Sequence, residues 1–165
     1  MSKAHRHYIA ADESYRVDIA RRWGNMAARH LHVADGFSLL AMENDDPVGL
    51  IGVQWRHLPA PFLPGACEGF IDILEVRPEV RRQGVATTLI ERSTERAQAY
   101  GAYQLRAWSS QDKTAALLMW KALGFGLCPA ITIARGQEVS GYFVAKVLPA
   151  VQKHSVRGRR RRLDI

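Results

Sequence analysis

The chain has 165 residues, of which 47% are hydrophobic, so it can bury one adequate core, whereas two domains would be cramped. Its net charge of +7 is concentrated in residues 149–165, where six Lys and Arg residues against one Asp supply five of the seven charges. Cys67 and Cys128 lie far apart, which argues against a disulfide framework and a cysteine-based metal site. We therefore expect a single domain over residues 1–148 and a basic, flexible C-terminal tail over residues 149–165.

The composition also bears on location and partners. The N-terminus has no apolar run and no stretch approaches the length of a membrane span, so we expect a cytoplasmic protein without a membrane partner. The Arg-rich tail is most simply a solvated segment. Binding of nucleic acid through the tail stays open as an alternative.

The first part of the chain predicts a strand, a helix and a hairpin. Residues 8–10 form a short strand, and Asp12 can cap the following helix, whose apolar stripe comprises Tyr15, Ile19, Trp23, Met26 and His30. Segments 37–42 and 48–55 indicate a hairpin that turns at residues 44–47. His30 and His32 should point to different faces of the helix, so no metal site is expected there.

A buried strand, a basic turn and a helix follow in the middle of the chain. The strand residues are Phe70, Ile71, Ile73, Leu74 and Val76. Pro78 has no backbone N–H, so the strand cannot continue its hydrogen bonding through that position. From Val85 the apolar residues follow a helical period until Gly101. Gly84 has no Cβ and precedes the free N–H groups of a helix start, so the turn is suited to a pyrophosphate, with Arg81 and Arg82 beside it.

The rest of the chain predicts a strand over 103–108, a helix from Asp112 to Gly124, and strands over 125–133 and 141–148. Strands followed by alternating strands and helices are typical of an α/β fold with helices on both faces of a mixed sheet.

Two motifs resemble the GNAT-type N-acetyltransferase superfamily. The first is Arg81-x-x-Gly84-x-Ala86, preceded by Val76-Arg77-Pro78, and the second runs from Ala116 through Trp120 to Gly124-Phe125. Neither a Walker loop nor a three-glycine Rossmann fingerprint accompanies them. The resemblance covers nearly the whole chain, up to about Leu148. It implies the acyl-CoA N-acyltransferase fold, with a mixed, mostly antiparallel sheet whose fourth and fifth strands splay apart around acetyl-CoA. It also implies that the cofactor-binding residues are Leu74, Glu75, Val76, Arg81, Arg82, Gln83, Gly84, Val85, Ala86 and Thr87.

The resemblance further implies direct attack of a neutral amine on the thioester, which requires a base to take the proton of the amine. Asp72 interrupts the apolar strand and is the expected base, with a purely structural carboxylate as an equally weighted alternative. Glu75 is the other catalytic candidate. Strict alternation places Glu68 on the same face as Asp72 and Glu75 on the opposite face.

The substrate pocket is expected to include Glu68, Trp108 and Trp120. Trp120 stands where many relatives carry a tyrosine that protonates the leaving thiolate, and an indole cannot do this. The expected activity is therefore acetyl-CoA-dependent N-acetylation of a primary amine, most simply that of a small molecule. A protein lysine or N-terminal acetyltransferase, a non-catalytic acetyl-CoA- or nucleic-acid-binding module, and a homodimer stay open as alternatives.

Overall fold

The computed structural model describes residues 5–59 and 65–150, which form one seven-stranded sheet and three α-helices. Strands β1–β7 cover Arg6–Ala10, Gly36–Glu43, Asp46–His57, Cys67–Val76, Gln104–Ser110, Gly126–Ala134 and Gln137–Val147. Helices α1–α3 cover Arg16–Arg29, Val85–Tyr100 and Thr114–Ala122. The strand order is β1-β2-β3-β4-β5-β7-β6, and β4–β5 is the single parallel pair among the described strands. The predicted mixed, mostly antiparallel sheet is confirmed.

Helices cover both faces of the sheet. Ile19 of α1 packs in a cluster with Leu50, whereas Leu89 of α2 and Trp120 of α3 pack in a second cluster with Ile51. Leu50 and Ile51 are neighbours on β3, and successive strand residues point to opposite faces. This explains why β3 reads as a continuous apolar run. We call the two sides the α1 face and the α2 face.

Helix α1 departs from the predicted apolar stripe after its second turn. Gly24 has a φ of +88°, outside the helical region, so the two parts of α1 meet at a kink. Met26 is consequently 63% exposed, while Ala27 and Ala28 are buried. The expectation that Met26 joins the core with Ile19 was therefore wrong, because a helical period cannot be extended across this glycine.

The hairpin between β2 and β3 is confirmed. Glu43 pairs with Asp46, and Asn44 and Asp45 both have positive φ, as a two-residue turn of the left-handed type requires. Among the described residues, no helix is both long and apolar enough to cross a membrane. The basic tail is predicted over residues 149–165, and its part beyond residue 150 lies outside the described residues.

A β-bulge in β4 changes which side chains reach each face. Gly52 pairs with Ile73 and Val53 pairs with Ile71, so Asp72 is an extra residue without a partner on β3. The bulge lets Asp72 and Ile73 both face α1, since Ile73 packs with the α1 cluster and Asp72 contacts the segment after α1.

Strands β4 and β5 separate immediately after this point. Their pairing covers Glu68–Gln104 to Ile71–Ala107 and then stops. Residues 72–76 of β4 therefore have no neighbouring strand on the β5 side, and alternate N–H and C=O groups of that edge are left for another partner. We call the space between the diverging strands the β4–β5 gap, and it confirms the predicted splay.

Gly52 holds the segment after α1 against the sheet. A Cβ at Gly52 would overlap the carbonyl oxygen of His30 and approach the side chain of Ile73 to 2.8 Å. The loop backbone can lie this close only because position 52 has no side chain.

We expect Gly52→Ala to lower the free energy of unfolding by about 1–3 kcal/mol, the usual effect of overpacking a well-packed site. Gly126→Ala on the edge strand β6 is the matched control, because the nearest atom to its Cβ would be 3.8 Å away. Urea denaturation of both variants measures the difference. Equal midpoints for the two variants would contradict the close packing inferred at Gly52.

Candidate active site

The basic turn, residues 81–84, joins β4 to α2 and is a cluster of free backbone donors. Gly84 has φ +80° and ψ 4°, and Arg82 also adopts a left-handed conformation with φ +64°. The first amide of this region that is bonded within the helix is that of Thr88, which donates to the carbonyl of Gly84 at 2.9 Å. Within the described chain, the amides of residues 82–87 donate to no backbone or side-chain acceptor. They form a concave donor surface at the start of a helix, which suits an anion.

Two side chains of the turn are hydrogen-bonded to the protein, and a third is available to a ligand. Arg81 donates from Nε to the carbonyl of Val76 at 3.0 Å, so it ties the turn to the end of β4. Gln83 accepts a hydrogen bond from Arg6 of β1 and donates to the carbonyl of Glu79. Arg82 is exposed and makes no hydrogen bond to the described residues. The amides and Arg82, rather than the side chain of Gln83, are therefore available to a ligand.

The end of β4 forms one wall of the β4–β5 gap. Leu74 and Val76 pack on the α2 face, as strand alternation requires. Glu75 pairs with Leu50, a residue of the α1 cluster, and therefore lies on the α1 side. The prediction that Glu75 faces away from Asp72 was wrong, because the bulge at Asp72 shifts the alternation by one residue.

Asp72 is the centre of a buried polar cluster on the α1 face. Its carboxylate accepts a hydrogen bond from Nε2 of His32 at 2.7 Å and another from Arg56 of β3 at 2.9 Å. Nδ1 of His30 lies 3.8 Å from the oxygen that contacts His32. Only 10% of the Asp72 side chain is exposed. We call His30, His32, Asp35 and Asp72 the His–Asp cluster.

His32 bridges the two carboxylates of the cluster. Its Nδ1 lies 2.9 Å from Asp35, opposite the contact of Nε2 with Asp72. Burial disfavours the charged imidazole, but the hydrogen bonds to Asp72 and Asp35 outweigh it and raise the pKa of His32 above its usual range. The amide of Gln54 donates to Asp35, and this bond together with His32 holds the pKa of that carboxyl low. The cluster therefore favours a protonated His32 between two carboxylates.

The meeting of His30 and His32 was not predicted. Helix α1 ends at Arg29, so His32 lies in the following segment rather than two residues further along a helix. The expectation that the two histidines point to different faces was wrong. One donor atom each from His30, His32 and Asp72 lies within 4.8 Å of the others, a spacing that a single cation could span. The hydrogen bonds of Asp72 and His32 to Arg56 and Asp35 account for the cluster as it stands. A His-x-His pair followed by an aspartate was the available sequence signal.

Glu68 lies on the same face but is fully engaged. It is 1% exposed and accepts hydrogen bonds from Gln104 at 2.6 Å and from Nε of Arg106 at 2.9 Å. The guanidinium carbon of Arg56 lies 3.7 Å from the ring centre of Phe70, and that of Arg106 lies 5.3 Å from it. The two arginines therefore flank an aromatic ring where the β4–β5 pairing ends.

The two predicted tryptophans lie in different places. Trp108 follows the last residue of β5 that pairs with β4, and it shares the face of Arg106, two residues earlier. Its indole nitrogen is buried and has no hydrogen-bond partner among the described residues. Trp120 is 4% exposed and stacks edge-on against Phe125 in the core of the α2 face. The structure therefore brings Trp108, but not Trp120, to the side of the His–Asp cluster.

Comparisons with known proteins agree on one family. A model described as the acetyltransferase (GNAT) family matches residues 3–125. The chain superposes on Arabidopsis thaliana NAA60 in complex with a bisubstrate analogue with a TM-score of 0.74 at 12% identity, covering 89% of this chain and 100% of that one. It superposes on the ribosomal-protein-S18-alanine N-acetyltransferase from Escherichia coli with a TM-score of 0.69 at 14% identity, covering 90% of this chain and 98% of that one. For the aminoglycoside N-acetyltransferase AAC(6')-Iy in complex with CoA, the TM-score is 0.65 at 18% identity, and the superposition covers 81% of this chain and 96% of that one. No curated protein matches the sequence significantly.

The raised pKa of His32 predicts a pH-dependent contribution to stability. Protonation stabilises the fold fully below the unfolded pKa of about 6.5, and the contribution is lost as the pH rises through the higher folded value. We therefore expect His32→Gln to destabilise the protein more at pH 6 than at pH 9, as measured by urea unfolding at both values. An equal loss at the two pH values would contradict a charged His32.

Proposed function

The chain belongs to the acetyltransferase (GNAT) family, and from this premise we propose that it transfers an acetyl group from acetyl-CoA to the primary amine of a small molecule. The proposal depends on one observation above all: the β4–β5 gap opens at Ile71, beside the His–Asp cluster on one side and the basic turn further along β4. A donor bound along the end of β4 would thus lie between an anion-binding turn and a group of titratable side chains.

The donor side is supported by unsatisfied backbone groups. The free amides of residues 82–87 suit the pyrophosphate, and the exposed Arg82 adds a cation beside them. The unpaired edge of residues 72–76 suits the amides of the pantetheine arm, in the manner of an added strand. Acetyl-CoA, when bound, supplies the acetyl group as a reactive thioester. The same edge can donate a backbone hydrogen bond to the developing oxyanion near Glu75 and Val76.

The acceptor side is the α1 face of the gap. An ammonium group has no lone pair, so the protein must take a proton before the amine attacks. The His–Asp cluster lies beside the point where β4 and β5 separate, because Asp72 directly follows Ile71, the last residue of β4 that pairs with β5. Asp72 anchors this cluster at the bulge. Glu75 lies on the same face and stays a catalytic candidate.

Two arginines on the acceptor side favour an amine that also carries an anionic group. Three cations and three carboxylates are paired with one another there, namely Arg56, Arg106 and His32 with Asp35, Glu68 and Asp72, and Glu75 lies on the same face. Arg56 and Arg106 each bond through Nε and Nη2, which leaves Nη1 without a partner among the described residues. A carboxylate of the acceptor could bind there, as in an amino acid.

A screen of amines, read by the release of free thiol from acetyl-CoA, tests the proposed function. We expect transfer to a small primary amine and a kcat/KM on the order of 10-fold higher for an amino acid than for the amine lacking only its carboxylate, because one charge-assisted hydrogen bond contributes about 1.5 kcal/mol or more. Activity on peptides alone would assign a protein acceptor instead. If no amine or peptide causes the release of free thiol, the proposal that the protein is an N-acetyltransferase is contradicted.

Gly84→Val tests the donor site. The position has φ +80°, so a β-branched residue is strained there, and its side chain would stand at the mouth of the free amides. We expect the affinity for acetyl-CoA, measured by calorimetry, to fall below detection.

Gly101→Val is the matched control at the other end of the same helix. Gly101 has φ +92° and, like Gly84, nothing within 4 Å of its Cβ. Both variants should lose a similar free energy of unfolding, about 1–2 kcal/mol, but Gly101→Val should bind acetyl-CoA like the wild type. Undiminished binding by Gly84→Val would overturn the donor assignment.

A further inference from the structure

We propose that His30 is the catalytic base that takes the proton from the acceptor amine, and that Asp72 is the positioning residue that orients it. This inference rests on the proposed function and names the group that performs its proton transfer. It replaces the simpler assignment of Asp72 as the base, which came from the sequence pattern alone.

The contacts of Asp72 argue against its acting as the base directly. One carboxylate oxygen accepts from Arg56 at 2.9 Å and the other accepts from His32 at 2.7 Å. Both carboxylate oxygens are therefore already occupied by donors of the protein. The side chain is also 10% exposed, so little of it can meet a substrate. These properties suit a carboxylate that holds a neighbour in place.

His30 has the complementary properties. It is more accessible than the other two residues that contact one another around Asp72, with 34% of its side chain exposed against 7% for His32 and 10% for Asp72 itself. Its Nδ1 faces Asp72 at 3.8 Å, so the other ring nitrogen, Nε2, is directed away from the carboxylate. Imidazole is the side chain best suited to exchange protons near neutral pH. A base oriented by a carboxylate on its second nitrogen is the arrangement that activates nucleophiles in many enzymes.

The backbone fixes where His30 stands. It is the C-cap of α1, with its amide donating to the carbonyl of Ala27 at 3.1 Å, and its own carbonyl lies against Gly52. Arg16 donates to the carbonyls of Ala28 and Leu31 on either side of it. The 3.8 Å separation from Asp72 exceeds a hydrogen bond, and catalytic hydrogen bonds commonly tighten only when substrate is bound.

The charged groups around His30 come from each element packed against it. They are Asp72 and Glu75 of β4, Arg56 of β3, His32 and Asp35 of the segment after α1, and Arg16 and Arg29 of α1. Asp72 is the group that makes an ion-pair contact with the ring, with its carboxylate oxygen 3.8 Å from Nδ1 of His30. Arg56 and His32 hold this carboxylate in place through their hydrogen bonds to it.

Acetyl transfer to an ammonium group requires two protons to leave its nitrogen. Nε2 of His30 takes one proton from the ammonium form of the acceptor, directly or through one water molecule. The freed lone pair forms the C–N bond as the C–S bond breaks, and the second amine proton is lost from the new amide nitrogen. The thiolate leaves with its electron pair and gains a proton, and the imidazolium returns its own to solvent. The products are the N-acetylated amine, CoA thiol and one proton.

Steady-state kinetics of His30→Gln test the proposal, with His57→Gln, an exposed histidine at the end of β3, as the control. We expect the maximal rate of His30→Gln to fall on the order of 10²-fold or more at pH 7, while calorimetry shows unchanged acetyl-CoA affinity. The loss should shrink at high pH, where the free amine is already neutral. His57→Gln should behave as the wild type. A His30→Gln enzyme as fast as the wild type at every pH would overturn the proposal.

Asp72→Asn separates orienting from structural roles through the pH profile. Loss of the negative charge should move the rise in rate at acidic pH to a lower value, because the protonated His30 is less stabilised. If Asp72 had only a structural role, Asp72→Asn would lower the rate without changing the pH at which the rate rises. This result would overturn the assignment of Asp72. If Asp72→Asn does not fold, the comparison of His30→Gln with His57→Gln still decides the base. Failure of the wild type to transfer to any amine would instead contradict the proposed function.

Discussion

The separation of β4 from β5 after Ile71 is the constraint on which the rest of the site depends. The bulge at Asp72 coincides with this separation, so the same residue that interrupts regular pairing with β3 also starts the unpaired edge of β4. A bulge twists and bends its strand, and this bending is the physical reason that the parallel pair cannot continue. One irregularity thus opens the β4–β5 gap and turns a carboxylate toward the α1 face beside it.

The sheet tolerates this irregularity because its two faces have separate cores. On the α2 face, Leu89 and Leu105 are fully buried, and on the α1 face Ile19 and Leu50 are fully buried. The polar cluster lies on the α1 face, and Asp72, the most central of its carboxylates, is paired with His32 and Arg56. A buried polar network is stable only when its members are satisfied, which explains why Asp72 meets both an arginine and a histidine.

Much of the fold could be predicted because local signals and tertiary structure agree. The turn at Asn44-Asp45, the helix start after Gly84 and the helix end at Gly101 all follow from backbone chemistry confined to a few residues. The family resemblance implies a bulge in the fourth strand, but its position could not be predicted from the residues, because those on either side of Asp72 are apolar and the alternation continues through it. The kink at Gly24 and the approach of His30 to Asp72 depend on how separate elements pack. Periodicity along one segment carries no information about such contacts.

Asp72 also shows why a structural and a catalytic role need not be alternatives. Removing its carboxylate would leave Arg56 and His32 without their common partner in a nearly buried site, and an uncompensated buried charge is costly. The same two contacts fix the position of the carboxylate, 3.8 Å from Nδ1 of His30. A residue this constrained gives the cluster its geometry, whereas proton exchange requires a group that reaches solvent. In this cluster the buried Asp72 therefore fixes the geometry, and the more exposed His30 exchanges the proton.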